Sequence, residues 1–180
     1  AGSFDITYLS ALPNFIIMAP SNQNELIRMI NTSVLIDDRP SAFRYPRGAG
    51  EIDNTNLNYD SLEIGKGIII KEGNDVAILN LGTRMQSCEE AIKILNYHNI
   101  YPTLADARFA KPIDKNLIDN LLDHHKYLIT IEEGSSGGFG SSVLNYIHNE
   151  RRKFTVTKIN TIYFPDRFID HQSAEAQYKE

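Results

Sequence analysis

Short apolar runs alternate along this chain with stretches of helical period, and that alternation is its strongest constraint. FIIMAP (15–20), SAFRY (41–45), IGKGIII (64–70), DVAILNLG (75–82), PTLADA (102–107), YLITIEE (127–133) and FTVTKINTIYF (154–164) each read as strands. They are short and rich in Ile, Val, Phe, Tyr and Thr, and Gly, Pro or Asp bounds them. Between them lie helical patterns. Asn22 and Glu25 have the form of a capping box, followed by Leu26, Met29, Ile30, Val34 and Leu35 at helical spacing. Thr83 or Ser87 is placed to cap a helix reaching about Asn96, with Ala91, Ile92 and Leu95 as its stripe. A third helix is predicted from Ile113 to Leu122 with Asp114 as N-cap, and a fourth enters from the loop at Gly137. This rhythm predicts an α/β fold with a doubly wound, mostly parallel sheet. Residues 15–48 read as a βαβ unit preceding it. Residues 64–70 and 75–82, joined by Lys-Glu-Gly-Asn, could pair as a hairpin. The stretch 49–63, AGEIDNTNLNYDSLE, has no clear period and reads as a linker. Three segments are therefore expected: 1–48, a linker at 49–63, and 64–180.

Composition narrows the function classes. Hydrophobic residues are 42% and charged residues 23% of the 180, a balance that argues against wholesale disorder. A net charge of −5 without a Lys/Arg run gives no basic face for nucleic acid. No apolar run nears the ~20 residues of a membrane span. The single cysteine, Cys88, excludes an internal disulfide and fits a reducing compartment, so a cytoplasmic location is expected. The first residues, AGSFDITYLS, lack a basic signal region and an initiator Met, and are expected to continue from an upstream part.

Three stretches could carry chemistry. In SAFRYPRG (41–48), Arg44 and Arg47 flank a Tyr-Pro step. Residues three apart on a strand face opposite ways, but Pro46 breaks the geometry and lets both reach one pocket. A guanidinium at the carboxyl end of a parallel strand suits a phosphate or carboxylate, and Arg47, beside Gly48, is the better placed. The plain alternative is an ion pair with Asp37 or Asp38. The glycine-rich loop in EEGSSGGFGSS (132–142) could present amides to an anion, but it matches neither the Rossmann nor the Walker spacing, and a tight turn at a packed interface is the better reading. Glu132 and Glu133 are adjacent and point apart, a poor acid/base pair. In DARFAKPID (106–114), Asp106, Arg108 and Lys111 sit at a strand end, where an Asp–Arg brace is the simpler reading. The five histidines show no metal-ligand spacing, and Cys88 reads as a small core residue.

These motifs together resemble the 1-deoxy-D-xylulose-5-phosphate synthases of the thiamine-diphosphate-dependent transketolase family. The resemblance rests on A-G-S-F-D-x-x-Y-L (1–9), P-N-F-I-I-M-A-P-S-x-x-N-E (13–25), P-S-A-F-R-Y-P-R-G (40–48), I-G-K-G (64–67), A-I-L-N-L-G-T (77–83), D-A-R-F-A-K-P-I-D (106–114), the I-E-E-G…G-G-F-G loop (131–140) and P-D-R-F-I-D-H (165–171). It covers essentially the whole chain. The glycine loop is shared more widely, for example by 2-oxoacid dehydrogenase beta chains. The resemblance implies that 1–48 is the C-terminal part of a pyrimidine-binding domain and 64–180 a transketolase C-terminal domain. It implies pyruvate and D-glyceraldehyde 3-phosphate as substrates, thiamine diphosphate and Mg2+ as cofactors of the full-length enzyme, and a homodimer. Arg47 would bind the aldehyde's phosphate, with Arg44 a weaker candidate or a brace. No Gly-Asp-Gly diphosphate and magnesium motif occurs here, and the activating glutamate and active-site histidine of the family would lie before Ala1. The chain alone is therefore expected to be inactive and to bind no cofactor. A 2-oxoacid dehydrogenase beta-type subunit and a non-catalytic dimerisation module remain as other readings. Two departures stand out: Arg39 and Gln172 occupy positions where the family commonly has glycine.

Overall fold

The computed structural model describes residues 3–46, 57–151 and 154–169. A short helix, α1 (Asp5–Ser10), leads into β1 (Ile16–Met18), α2 (Gln23–Val34) and β2 (Ser41–Phe43). The rest of the described chain runs β3 (Ile68–Lys71), β4 (Val76–Leu81), α3 (Met85–Tyr97), β5 (Thr103–Asp106), β6 (Phe109–Lys111), α4 (Lys115–His124), β7 (Tyr127–Glu132), α5 (Phe139–Asn145) and β8 (Lys158–Ile162). A π-helical turn, Tyr146–Glu150, extends α5.

The larger sheet has the order β3-β5-β4-β7-β8 and is parallel except for β3 at one edge. β4 is buried from Ala77 to Leu81, as a central strand covered on both faces must be. β5 and β7 take both its edges. The hairpin expected between 64–70 and 75–82 therefore does not form, and β3 pairs antiparallel with β5. The short connection is instead laid against the start of β5. Gly73 donates to Thr103 Oγ1 at 2.9 Å. A side chain at Gly73 would collide with the Tyr101 carbonyl.

The smaller sheet has the order β2-β1-β6. β1 and β2 are parallel, as the βαβ reading requires. β6 runs antiparallel to β1, with Met18 opposite Phe109. This strand was not expected from sequence, where 106–114 read as a loop leading to a helix. It ties residues 3–46 to the second half. Met18 and Phe109 are both fully buried, packed with Ile16, Met29 and Leu62. A second core joins Ile6, Ile17 and Ala19 to Leu79, Leu81, Ala105, Phe139 and Val143. Residues 57–62, the described end of the expected linker, lie along α2. Leu62 N donates to Thr32 Oγ1 at 2.7 Å, and Asn31 donates to the Tyr59 carbonyl at 2.6 Å.

Helix starts follow their caps where a side chain can reach. Asn22 accepts from Glu25 N at 2.9 Å, and Asp114 accepts from Leu117 N at 3.0 Å. α3 begins at Met85 with no side-chain cap, so neither Thr83 nor Ser87 serves. The α2 stripe is only partly covered: Met29 is buried while Val34 and Leu35 are exposed. The last strand spans only Lys158–Ile162 of the predicted 154–164.

Because Phe109 joins β6 to the core of the smaller sheet, Phe109→Ala is expected to cost about 3–5 kcal/mol. Denaturant titration of the protein checks it, and hydrogen exchange should show the loss first in the amides of β1 and β2.

Candidate functional site

The carboxyl ends of β1, β2, β4, β5 and β7 meet along one edge, where open α/β sheets take ligands. Ser21, just past β1, donates through Oγ to Asp106 Oδ2 at 2.6 Å. The Ala19 amide donates to the Arg108 carbonyl at 2.9 Å, and the Ala107 amide donates to the Asn80 carbonyl at 2.8 Å. Two charged networks are built on this edge.

The first surrounds Asp106. Its Oδ1 accepts from the Arg108 amide at 2.9 Å, a turn that holds Arg108 at φ +57°. Burial pushes the Asp106 carboxyl up from 3.8 to about 6, against the opposing pull of the Ser21 hydroxyl and the Arg108 amide. The Arg108 side chain does not brace Asp106, as expected, but crosses to α2. Its Nη2 lies 2.8 Å from Glu25 Oε1, which also holds Arg28 at 3.1 Å. Glu25 is thus turned away from closing a capping box. Arg108 Nε and Glu25 Oε2 are buried with no hydrogen-bond partner among the described residues.

The second network surrounds Arg44. Its Nε pairs with Asp5 Oδ2 at 2.8 Å, and its Nη1 donates to the Glu133 carbonyl at 2.5 Å. Asp5 thus takes the place that sequence gave to Asp37 or Asp38, and Asp38 pairs instead with Arg39 at 2.5 Å on an exposed turn. Glu133 faces Arg84 at 3.0 Å, while Glu132 turns the other way, so the two carboxylates do point apart. Glu132 accepts from the Phe139 and Gly140 amides at 3.0 and 2.8 Å. Burial raises its carboxyl pKa, opposed by those two amides and by Arg44. The glycine loop therefore wraps an internal carboxylate, and the two amides at the start of α5 are already taken. A Cβ at Gly138 would stand 2.5 Å from Glu132 Oε2, so a larger residue there would push that carboxylate aside.

Arg47 and Gln172 lie outside the described residues. Cys88 is a buried core residue whose thiol burial pushes up to about 11. His125 is structural, with Nε2 2.7 Å from Thr103 Oγ1. Among the described residues, no group of three or more His, Cys, Asp or Glu could hold a metal ion, and no helix is long and apolar enough to cross a membrane. Sequence reading placed Asp5, Ser21 and Glu25 in its motifs but gave none of them a role at this edge. The partners of Ser21 and Glu25 are 85 and 83 residues away, a distance that no local pattern spans.

The two-sheet arrangement is that of transketolase structures. Residues 65–180 match the family model described as Transketolase, C-terminal domain. The chain belongs to the transketolase family. It is 45% identical over 181 residues to a probable 1-deoxy-D-xylulose-5-phosphate synthase 2, chloroplastic, from Oryza sativa subsp. japonica, covering 99% of this chain and 25% of the relative. It is 47% identical over 180 residues to the chloroplastic 1-deoxy-D-xylulose-5-phosphate synthase 1 of Cannabis sativa, covering 98% and 25%. The chain thus spans about a quarter of the length of these curated relatives. Among solved structures, a split-gene transketolase in an inactive β4 tetramer aligns with a TM-score of 0.79 at 26% identity, over 90% of this chain and 52% of that one. A transketolase mutant from Pichia stipitis aligns at 0.69 with 15% identity, over 96% and 24%, which shows the fold alone. The plant relatives overturn the expected cytoplasmic location, since both are named chloroplastic and point to a plastid. A lone cysteine reports a reducing milieu and does not tell one reducing compartment from another.

The Asp106 carboxyl is held neutral more easily in the fold than in the unfolded chain. Its contribution to stability is complete below about pH 4 and is lost as pH rises through about 6. Asp106→Asn keeps the shape and removes the ionisation. The variant is expected to match the parent near pH 4 and to exceed it by about 3 kcal/mol at pH 8. Parallel urea titrations at the two pH values measure this.

Proposed function

We propose that the chain is the carboxyl-terminal part of a thiamine-diphosphate-dependent synthase. The full-length enzyme would condense pyruvate with D-glyceraldehyde 3-phosphate, releasing CO2 and forming 1-deoxy-D-xylulose 5-phosphate. One observation carries this reading: identity of 45–47% to two synthases across essentially the whole chain. The same relatives favour the synthase over a 2-oxoacid dehydrogenase beta-type subunit. On this reading, residues 1–48 are the end of a pyrimidine-binding domain, 49–63 a linker, and 64–180 the C-terminal domain. The enzyme would work as a homodimer in a plastid.

The described residues do not themselves fit magnesium or a diphosphate. They hold no metal-ligating group of three, and the amides of Phe139 and Gly140 already serve Glu132. As the family resemblance implies, the rest of the full-length enzyme would hold the cofactor, and the described residues are given no step that runs through it. The isolated chain would be inactive. The split-gene transketolase it resembles, of which it covers 52%, is itself described as an inactive β4 tetramer, which supports that reading.

Arg47 of Tyr-Pro-Arg-Gly is assigned the aldehyde's phosphate. A phosphate carries nearly two charges, and a planar guanidinium holds two of its oxygens at once. Gripping the remote phosphate orients the aldehyde carbon for attack, so the binding energy is used at the reacting centre.

In the full-length enzyme with thiamine diphosphate and Mg2+, Arg47→Ala is expected to cost about 2–4 kcal/mol in kcat/KM for glyceraldehyde 3-phosphate. Steady-state kinetics with both substrates measures it. Normal activity in the variant would return Arg47 to a structural role. A wild type that makes no product would refute the synthase and favour the dehydrogenase subunit.

A further inference from the structure

We infer that the junction between the two sheets is proton-gated at Asp106: ionising this carboxyl favours a local opening in which the exit of β1 and the first turn of α2 move off the turn between β5 and β6.

The junction is narrow. β1 meets β6 through Ile17 opposite Lys111 and Met18 opposite Phe109, with a register shift between the two. Met18 and Phe109 are fully buried and hold that end shut. Beyond them, towards the carboxyl edge, polar contacts take over. The Ala19 amide donates to the Arg108 carbonyl at 2.9 Å, Ser21 Oγ donates to Asp106 Oδ2 at 2.6 Å, and Arg108 Nη2 lies 2.8 Å from Glu25 Oε1. Ser21 directly precedes Asn22, the N-cap of α2, and Glu25 lies in the first turn of that helix. These contacts therefore fasten the start of α2 to one turn, residues 106–108.

Asp106 is the hub of that turn. While Oδ2 takes the Ser21 hydroxyl, Oδ1 takes the Arg108 amide at 2.9 Å and keeps Arg108 at φ +57°. A residue other than glycine holds that conformation only when its surroundings impose it. One carboxyl thus fastens α2 on one side and shapes the turn on the other. It is 1% exposed among the described residues, and further protein packed here can only lower that figure. The charged groups facing it are Glu25 on α2 and Arg108 on its own turn, and Arg28 joins the cluster through Glu25. Its strand neighbours bring Ile68 from β3 and Asn80 from β4, neither of which titrates.

Linkage gives the direction. Burial is the largest influence on the closed carboxyl and pushes it up to about 6; Glu25 adds to the rise, while the Ser21 hydroxyl, the Arg108 amide and the Arg108 charge oppose it. In the open form water reaches the group, and it returns to its ordinary value of 3.8. Closure is therefore favoured most below about pH 4, and that advantage is lost as pH rises through about 6. An opening that stops at the Met18–Phe109 pair releases the carboxyl without breaking β4 away from β5 and β7. The edge where β1, β4 and β5 end is thus held together more firmly in acid than in alkali.

Native-state hydrogen exchange on the full-length enzyme tests this, with each rate corrected for the intrinsic effect of pH. Protection of the Ala19 and Arg108 amides is expected to fall about tenfold from pH 5 to pH 7, as values of 3.8 and about 6 require. In Asp106→Asn, which keeps an acceptor for the Arg108 amide, it should change less than about twofold. Urea below the unfolding transition separates local opening from global unfolding. It should hardly move the exchange of the Ala19 and Arg108 amides, whereas Leu79 in β4 should follow global unfolding. Ser21→Ala supplies a second variant at the contact itself. Losing a donor to the charged form raises the carboxyl further, so protection should go on falling between pH 7 and pH 8, where the wild type changes less than about twofold. Four results would each overturn the gate: amides that share the urea dependence of Leu79, protection that holds from pH 5 to pH 7, an equal fall in Asp106→Asn, or a Ser21→Ala profile that levels off with the wild type.

Discussion

The antiparallel pairing of β1 with β6 is the contact on which the rest of the structure depends. Among the described residues, β1, α2 and β2 by themselves make only a two-stranded parallel unit with one helix, which buries little apolar surface. With β6 paired, Met18 and Phe109 close a core that includes Met29 and Leu62. Ile17 and Ala19 on the same segment enter the larger core with Leu79, Leu81 and Phe139. Adjacent residues of one strand thus serve two cores, as the two-residue period of a strand allows.

That pairing also brings the chemistry together. Once β1 lies beside β6, Ser21 stands over Asp106 and Glu25 meets Arg108. Burying these charges is costly, and the fold offsets the cost by pairing them and by leaving the Asp106 carboxyl easy to protonate. Two atoms, Arg108 Nε and Glu25 Oε2, are buried with no hydrogen-bond partner among the described residues. Such incomplete satisfaction is what a purely structural brace would avoid. The network around Arg44 is better satisfied. It joins α1, β2 and β7 through charge-assisted bonds to a carboxylate and a carbonyl.

Local signals hold where the physics is local. The Asn22 and Asp114 caps, the parallel β1–β2 pair and the buried β4 all follow from residues close in sequence. The hairpin failed because strand proximity in sequence does not decide which edge of β4 is free. β6 was hidden because Phe-Ala-Lys is too short to show a period. The exposed Val34 and Leu35 show the converse, the end of an apolar stripe that helical spacing announces and that the described residues cover only at Met29.

By itself, the sequence determined the α/β class, most of the element order, and through its motifs the kinship with the synthases. Those depend on period, capping and residue identity, which are written along the chain. The partner of Arg44, the destination of Arg108 and the use of the glycine loop were decided only by tertiary structure. Each links residues far apart in sequence, and which carboxylate a guanidinium finds depends on which strand ends converge. The glycines show the same division: sequence places them in a loop, but only the fold reveals that the amides there close on Glu132.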